Sequence, residues 1–160
     1  MEKEIIFVGL GLVIIFVFFL LLQVKNKIVY GTTDANKIKG IVFEKKCIGE
    51  LEKNGFEVFW RGKELGVKDG GIDIEAKKGN TLLLIQCKNY QRKAVIGGDL
   101  LRMFWGDVYT FLLRNDVKSF DVHYLFVSNF YQIDKSGKFW LEDNGFVKYF
   151  DFNGFRKAIK

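Results

Sequence analysis

The order of periodic segments in this 160-residue chain predicts an α/β domain, a small mixed β-sheet flanked by helices, preceded by one apolar segment of membrane-spanning length. Three observations predict it. Ile5 to Leu22 (IIFVGLGLVIIFVFFLLL) carries no charge. Two β-type stretches, Gly71 to Lys78 and Thr81 to Tyr90, flank Gly79-Asn80, a pair suited to the φ > 0 positions of a tight hairpin turn. An amphipathic stretch, Gly97 to Asn115, then separates that hairpin from a further apolar strand, Asp121 to Ser128 (DVHYLFVS). A helix between two strands of one sheet makes the later strand parallel to the earlier one, by a right-handed crossover.

The first segment is long enough, at about 1.5 Å per residue, to cover about 27 Å of hydrocarbon. It has no basic leader, no small-residue cleavage site and no polar stripe, which argues against a signal peptide and a core helix. Lys25, Lys27, Lys37 and Lys39 follow it and only Lys3 precedes it, so the expectation is a single-pass anchor (1–24), a linker (25–35) and a cytoplasmic domain (36–160).

Next, the GTTD of Gly31 to Asp34 ends in an N-cap candidate, and Ile38, Ile41, Ile48 and Leu51 recur at helical intervals up to Gly55. Phe56 to Trp60 reads as a strand and Arg61 to Gly70 as a polar loop shaped by Asp69 and the glycines after it. Along Gly97 to Asn115, Leu100, Leu101, Phe104, Val108, Phe111 and Leu112 share one face. Ile133 to Asn144 predicts a short helix, Phe146 to Phe150 a last strand and Phe152 to Ile159 a terminal helix. The three tryptophans, Trp60, Trp105 and Trp140, read as core.

Beyond residue 24 the chain holds 24 basic and 17 acidic side chains, a balance of +7 that suits DNA or an anionic lipid surface equally. Cys47 and Cys87, in a reducing compartment, need not pair, and with one histidine they cannot complete a zinc site without carboxylates. His123 has no serine or cysteine partner in view, which disfavours a hydrolase triad.

A two-residue turn at Gly79-Asn80 pairs Lys78 with Thr81 and sets Asp73 across from Gln86. Alternation then places Ile72, Ile74 and Ala76 with Cys87, Ile85 and Leu83 on an apolar face, and Asp73, Glu75, Gln86 and Lys88 on the other. Such an oxygen cluster can hold one hard divalent cation, Mg²⁺ or Mn²⁺, with Lys88 beside it. A solvated strand face would carry the same residue types.

The run DGGIDIEAKKGNTLLLIQCKNY resembles the catalytic core of the Mrr-like, type IV restriction endonucleases of the PD-(D/E)xK superfamily, whose motif sets an acid in a G-[IV]-D-[IL] stretch ahead of a Q-x-K strand. Gly40, Phe43 and Glu44 resemble that family's G-x-x-F-E helix and VHYLFVSNFY its later strand, so the likeness spans roughly Lys39 to Phe152. The resemblance implies a restriction-endonuclease-like fold and Mg²⁺-dependent DNA cleavage. By it Asp73, Gln86 and Glu44 would be metal ligands, with Glu75 as a further candidate, and Lys88 the catalytic lysine; Tyr90, Arg92 and Lys93, which follow the strand, suit contacts to phosphates and a base or equally an exposed basic turn. No proline precedes Asp73, and Gln86 stands where the wider superfamily has an acid. Beside a membrane-anchored defence endonuclease, two alternatives follow: a nuclease-fold module that binds nucleic acid or a partner without cutting, and a structure-selective resolvase acting as a homodimer.

Overall fold

In the computed structural model the chain divides into two units, Met1–Lys39 and Gly40–Lys160, and the described residues are 18, 35–90 and 94–160. The apolar stretch 5–22, apart from residue 18, lies outside the described residues, as do Arg92 and Lys93; among the described residues no helix is long and apolar enough to cross a membrane.

The domain is a five-stranded mixed sheet in sequential order: β1 (Glu57–Phe59), β2 (Ile74–Lys78), β3 (Thr81–Lys88), β4 (Asp121–Ser128) and β5 (Val147–Asp151). The first three strands are antiparallel neighbours, and β3, β4 and β5 run parallel, as the intervening helices require. Helix α1 is described over residues 35–53, and α2 (Arg61–Glu64) with a 3₁₀ turn (Gly66–Lys68) occupies the stretch predicted as loop. Helices α3 (Gly98–Arg114), α4 (Lys135–Asp143) and α5 (Phe152–Ala158) follow.

Local chemistry fixes the ends of these elements. Gly55, at φ +80°, closes α1: its N–H reaches the Glu52 carbonyl and that of Phe56 the Leu51 carbonyl, which satisfies the last turn. Asp134 and Asp151 cap α4 and α5 by accepting from the N–H groups of Gly137 and Gly154, each at 2.7 Å. At the hairpin only Gly79 takes a positive φ, so Asn80 turns without one.

The sheet is apolar on both faces. One side of β2, β3 and β4 (Ile74, Ala76, Leu83, Ile85, Leu125, Val127) packs on Phe43, Cys47 and Leu51 of α1 and Phe155 of α5. The other (Leu82, Leu84, Phe126) packs on Leu101, Phe104, Val108 and Phe111 of α3. The buried stripe of α1 is therefore Phe43, Cys47 and Leu51, spaced by four, and Ile38 is exposed. Trp105 and Trp140 lean on the second cluster; Trp60 belongs to neither.

The pairing of β2 with β3 follows the predicted register from Lys78↔Thr81 to Ile74↔Ile85 and stops there. Asp73 donates its N–H to the Ile85 carbonyl at 2.9 Å, although Ile85 is already the partner of Ile74. Two successive residues opposite one is a β-bulge, and an extra residue inverts the alternation beyond it. Ile72 accordingly packs in the α3 cluster, not beside Ile74 and Ala76 as regular alternation predicts, and Asp73 is not the ladder partner of Gln86.

Candidate active site

The bulge turns Asp73 to the end of the sheet. Its Oδ2 accepts the Cys87 N–H at 2.6 Å, the donor that a regular ladder would have sent to a backbone carbonyl, so the carboxylate itself continues the pairing past Ile74. Burial pushes the Asp73 carboxyl up to about 7; the Cys87 N–H opposes the rise, the negative charges of Glu44 and Asp69 add to it, and Lys88 pulls the other way.

Glu44 arrives from the middle of α1. A methyl group placed on Gly62 would stand 3.0 Å from its Oε2 and 3.8 Å from Asp73 Oδ1, so the two carboxylate oxygens lie no more than about 7 Å apart across that glycine. Glu44 Oε2 also accepts from the indole Nε1 of Trp60 at 2.6 Å.

Gln86 lies on β3 with 9 % of its surface exposed, and among the described residues its amide makes no hydrogen bond. Lys88 ends the same strand, two residues on and so on the same side, where its charge reaches both Asp73 and Asp107. Asp107 projects from α3 against Gly71, whose φ of +71° and missing side chain make room for it. Burial first, then Asp69, raises the Asp107 carboxyl, and Lys88 opposes. Asp69 Oδ1 accepts the Gly71 N–H at 2.9 Å, the loop-shaping role expected of it.

Of the residues singled out in the sequence, Glu44, Asp73 and Lys88 converge at this end of the sheet and Gln86 lines β3 beside them. Glu75 does not join them: Arg61 and Lys77 hold its carboxylate at 3.5 and 3.0 Å. Tyr90 follows the strand with its backbone clamped by Asn129, which accepts its N–H at 3.0 Å and donates to its carbonyl at 2.8 Å. Trp60, Gly62, Asp107 and Asn129 were not foreseen. Only Asp107 left a trace in the sequence, as an acid one residue from Val108 on a buried helix face.

Among the described residues no three carboxylate, imidazole or thiolate side chains converge closely enough to hold a metal by themselves. Two carboxylates, one of them buried at a cost that a cation would relieve, and an unbonded amide fit a hard divalent ion whose remaining ligands are water and a substrate oxygen.

Residues 35–115, just over half of the chain, match the family model Mrr_cat, described as restriction endonuclease. The chain belongs to the Mrr_cat restriction endonuclease family. The matched Mrr_cat stretch runs from α1 through α3 and so contains Glu44, Asp73, Gln86 and Lys88. Two solved structures are similar at 15 % identity each. One is a protein of unknown function, AF1548 (TM-score 0.47, 69 % of this chain and 58 % of that one). The other is the MspJI restriction endonuclease in complex with a 27-mer oligonucleotide (TM-score 0.48, 81 % of this chain). The alignment spans 29 % of the MspJI chain. No curated protein matches the chain.

Proposed function

We propose that this Mrr_cat domain hydrolyses DNA phosphodiesters with a divalent ion, Mg²⁺ or Mn²⁺, held by Asp73, Glu44 and Gln86, and that residues 5–22 tether it to the cytoplasmic side of a membrane. The observation that carries the catalytic reading is the buried Asp73 carboxylate, pinned to the catalytic strand by the Cys87 N–H within about 7 Å of Glu44. A bound ion would supply Lewis acidity toward the phosphate and neutralise the two carboxylates. Lys88, which makes no ion pair among the described residues, is available to donate to the charge that builds on the phosphate oxygens. The Asn129 clamp on Tyr90 fixes the chain that follows Lys88, from which Arg92 and Lys93 would reach flanking phosphates.

The test is cleavage of plasmid DNA by the full-length chain with Mg²⁺ or Mn²⁺. Asp73→Ala and Lys88→Ala are each expected to slow cleavage by about a hundredfold or more. Absence of cleavage with either ion, or variants that cut like wild type, refutes the enzymatic reading. The tether is tested separately: the chain should resist alkaline extraction from membranes, and deletion of residues 1–24 should release it.

A second reading, a nuclease-fold module that binds nucleic acid or a partner at the membrane without cutting, draws on the amide at position 86 and on the absence of a three-ligand cluster among the described residues. Binding of DNA with no calorimetric response to Mg²⁺ would bring it forward.

A further inference from the structure

We infer that Trp60 is a positioning residue for the metal site: its indole N–H holds the Glu44 carboxylate on the Asp73 side of α1, where the two acids would hold a divalent ion. This rests on the reading of Glu44 and Asp73 as ligands and adds to it a residue outside the motif, supplied by the segment between β1 and β2.

Three observations carry the inference. The bond from Trp60 Nε1 to Glu44 Oε2 is short, 2.6 Å, and ends on a carboxylate, the stronger class of hydrogen bond. It occupies one oxygen of Glu44, and among the described residues no hydrogen bond reaches the other. The indole is itself flanked: the ammonium groups of Lys45 and Lys63 stand 5.8 and 5.7 Å from the centre of its ring, where cation–π attraction helps to hold it. Finally, the chain enters α2 directly after Trp60, and its second residue is Gly62, whose missing side chain leaves the gap between Glu44 and Asp73. The Gly62 N–H donates to the Asp73 carbonyl at 3.1 Å, so a single short segment, Trp60 to Gly62, touches both acids. A carboxylate on a long side chain is otherwise free to rotate away, and ligand-orienting partners of this kind are worth about ten- to a hundredfold in metal affinity.

The test titrates Mn²⁺ calorimetrically into the full-length chain. Trp60→Phe keeps an aromatic ring between the two lysines and removes the N–H; Gly62→Ala puts a methyl group 3.0 Å from Glu44 Oε2, so that carboxylate must give by a few tenths of an ångström. Each is expected to weaken Mn²⁺ binding about ten- to a hundredfold while the melting temperature stays near that of wild type, and kcat for DNA cleavage at saturating Mn²⁺ is expected to recover. Unchanged Mn²⁺ affinity in Trp60→Phe overturns the inference, as does a loss of kcat that saturating Mn²⁺ does not restore. If Trp60→Phe fails to fold, Gly62→Ala decides by the same readings. Wild type that binds no Mn²⁺ overturns the metal-site reading and this one with it, whereas wild type that binds while the variants bind equally well sinks only the role of Trp60.

Discussion

Asp73→Asn should make the metal-free protein more stable at neutral pH, because the native fold buries a carboxylate it would rather leave protonated. The folded-state value of about 7 lies above the ordinary 3.8, so between these limits the native state keeps a proton that the unfolded chain has released. Stability contributed by this group is therefore fully present below about pH 4 and falls as pH rises toward 7. Three units correspond to about 4 kcal/mol in all, of which about 2.5 kcal/mol is lost between pH 5 and pH 7.5. Asparagine keeps an oxygen to accept the Cys87 N–H and carries no charge, so the variant should lose this part of the pH dependence. The assay is urea unfolding of both proteins at the two pH values in chelator, with midpoints converted at a common slope. Wild type should weaken on going to pH 7.5 and Asp73→Asn much less. Parallel curves, or a wild type more stable at pH 7.5 than at pH 5, would refute the desolvation argument. Adding Mn²⁺ should stabilise wild type at pH 7.5 and leave Asp73→Asn almost unmoved.

Further outcomes are expected elsewhere in the domain. Gly71→Ala would place a methyl group inside the Asp107 carboxylate and force φ +71° on a side chain, for a loss of about 2 kcal/mol or more in thermal unfolding. Phe126→Ala removes a fully buried ring that meets Phe104 and Tyr149 edge-on at 5.8 and 6.2 Å, and should cost about 3 to 5 kcal/mol by urea titration. Asn129→Ala leaves the Tyr90 N–H and carbonyl without their partners; amide exchange at Tyr90 should quicken by about tenfold while exchange in the middle of β3 holds.

Much of the fold could be read from one-dimensional periodicity, since apolar spacing of two or four residues is set by backbone geometry wherever the chain finally goes. The hairpin register followed from Gly79, whose positive φ fixes where the strand must reverse. The parallel β4 followed from the helix before it. The same logic failed at Asp73, because regular alternation does not foretell the extra residue of a bulge; here the Asp73 carboxylate takes the Cys87 N–H that a backbone carbonyl would otherwise accept. Ile72 changed faces as a direct result. The stretch after Trp60 read as loop because four helical residues, Arg61–Glu64, are too few to show a period.

The candidate site divides along the same line. The residue types at positions 44, 73, 86 and 88 name a chemistry, and their spacing assigns three of them to one hairpin, because alternation and turn geometry act over neighbours in sequence. What Glu44 faces was decided only by packing: Phe43, Cys47 and Leu51 dock α1 on the sheet, and that docking brings an acid 29 residues distant in the chain to within about 7 Å of Asp73. The same packing sets Trp60 on Glu44, Asp107 on Gly71 and Asn129 on Tyr90. Contacts between elements depend on which buried stripes meet, and that is a property of the assembled core, not of any local run of residues.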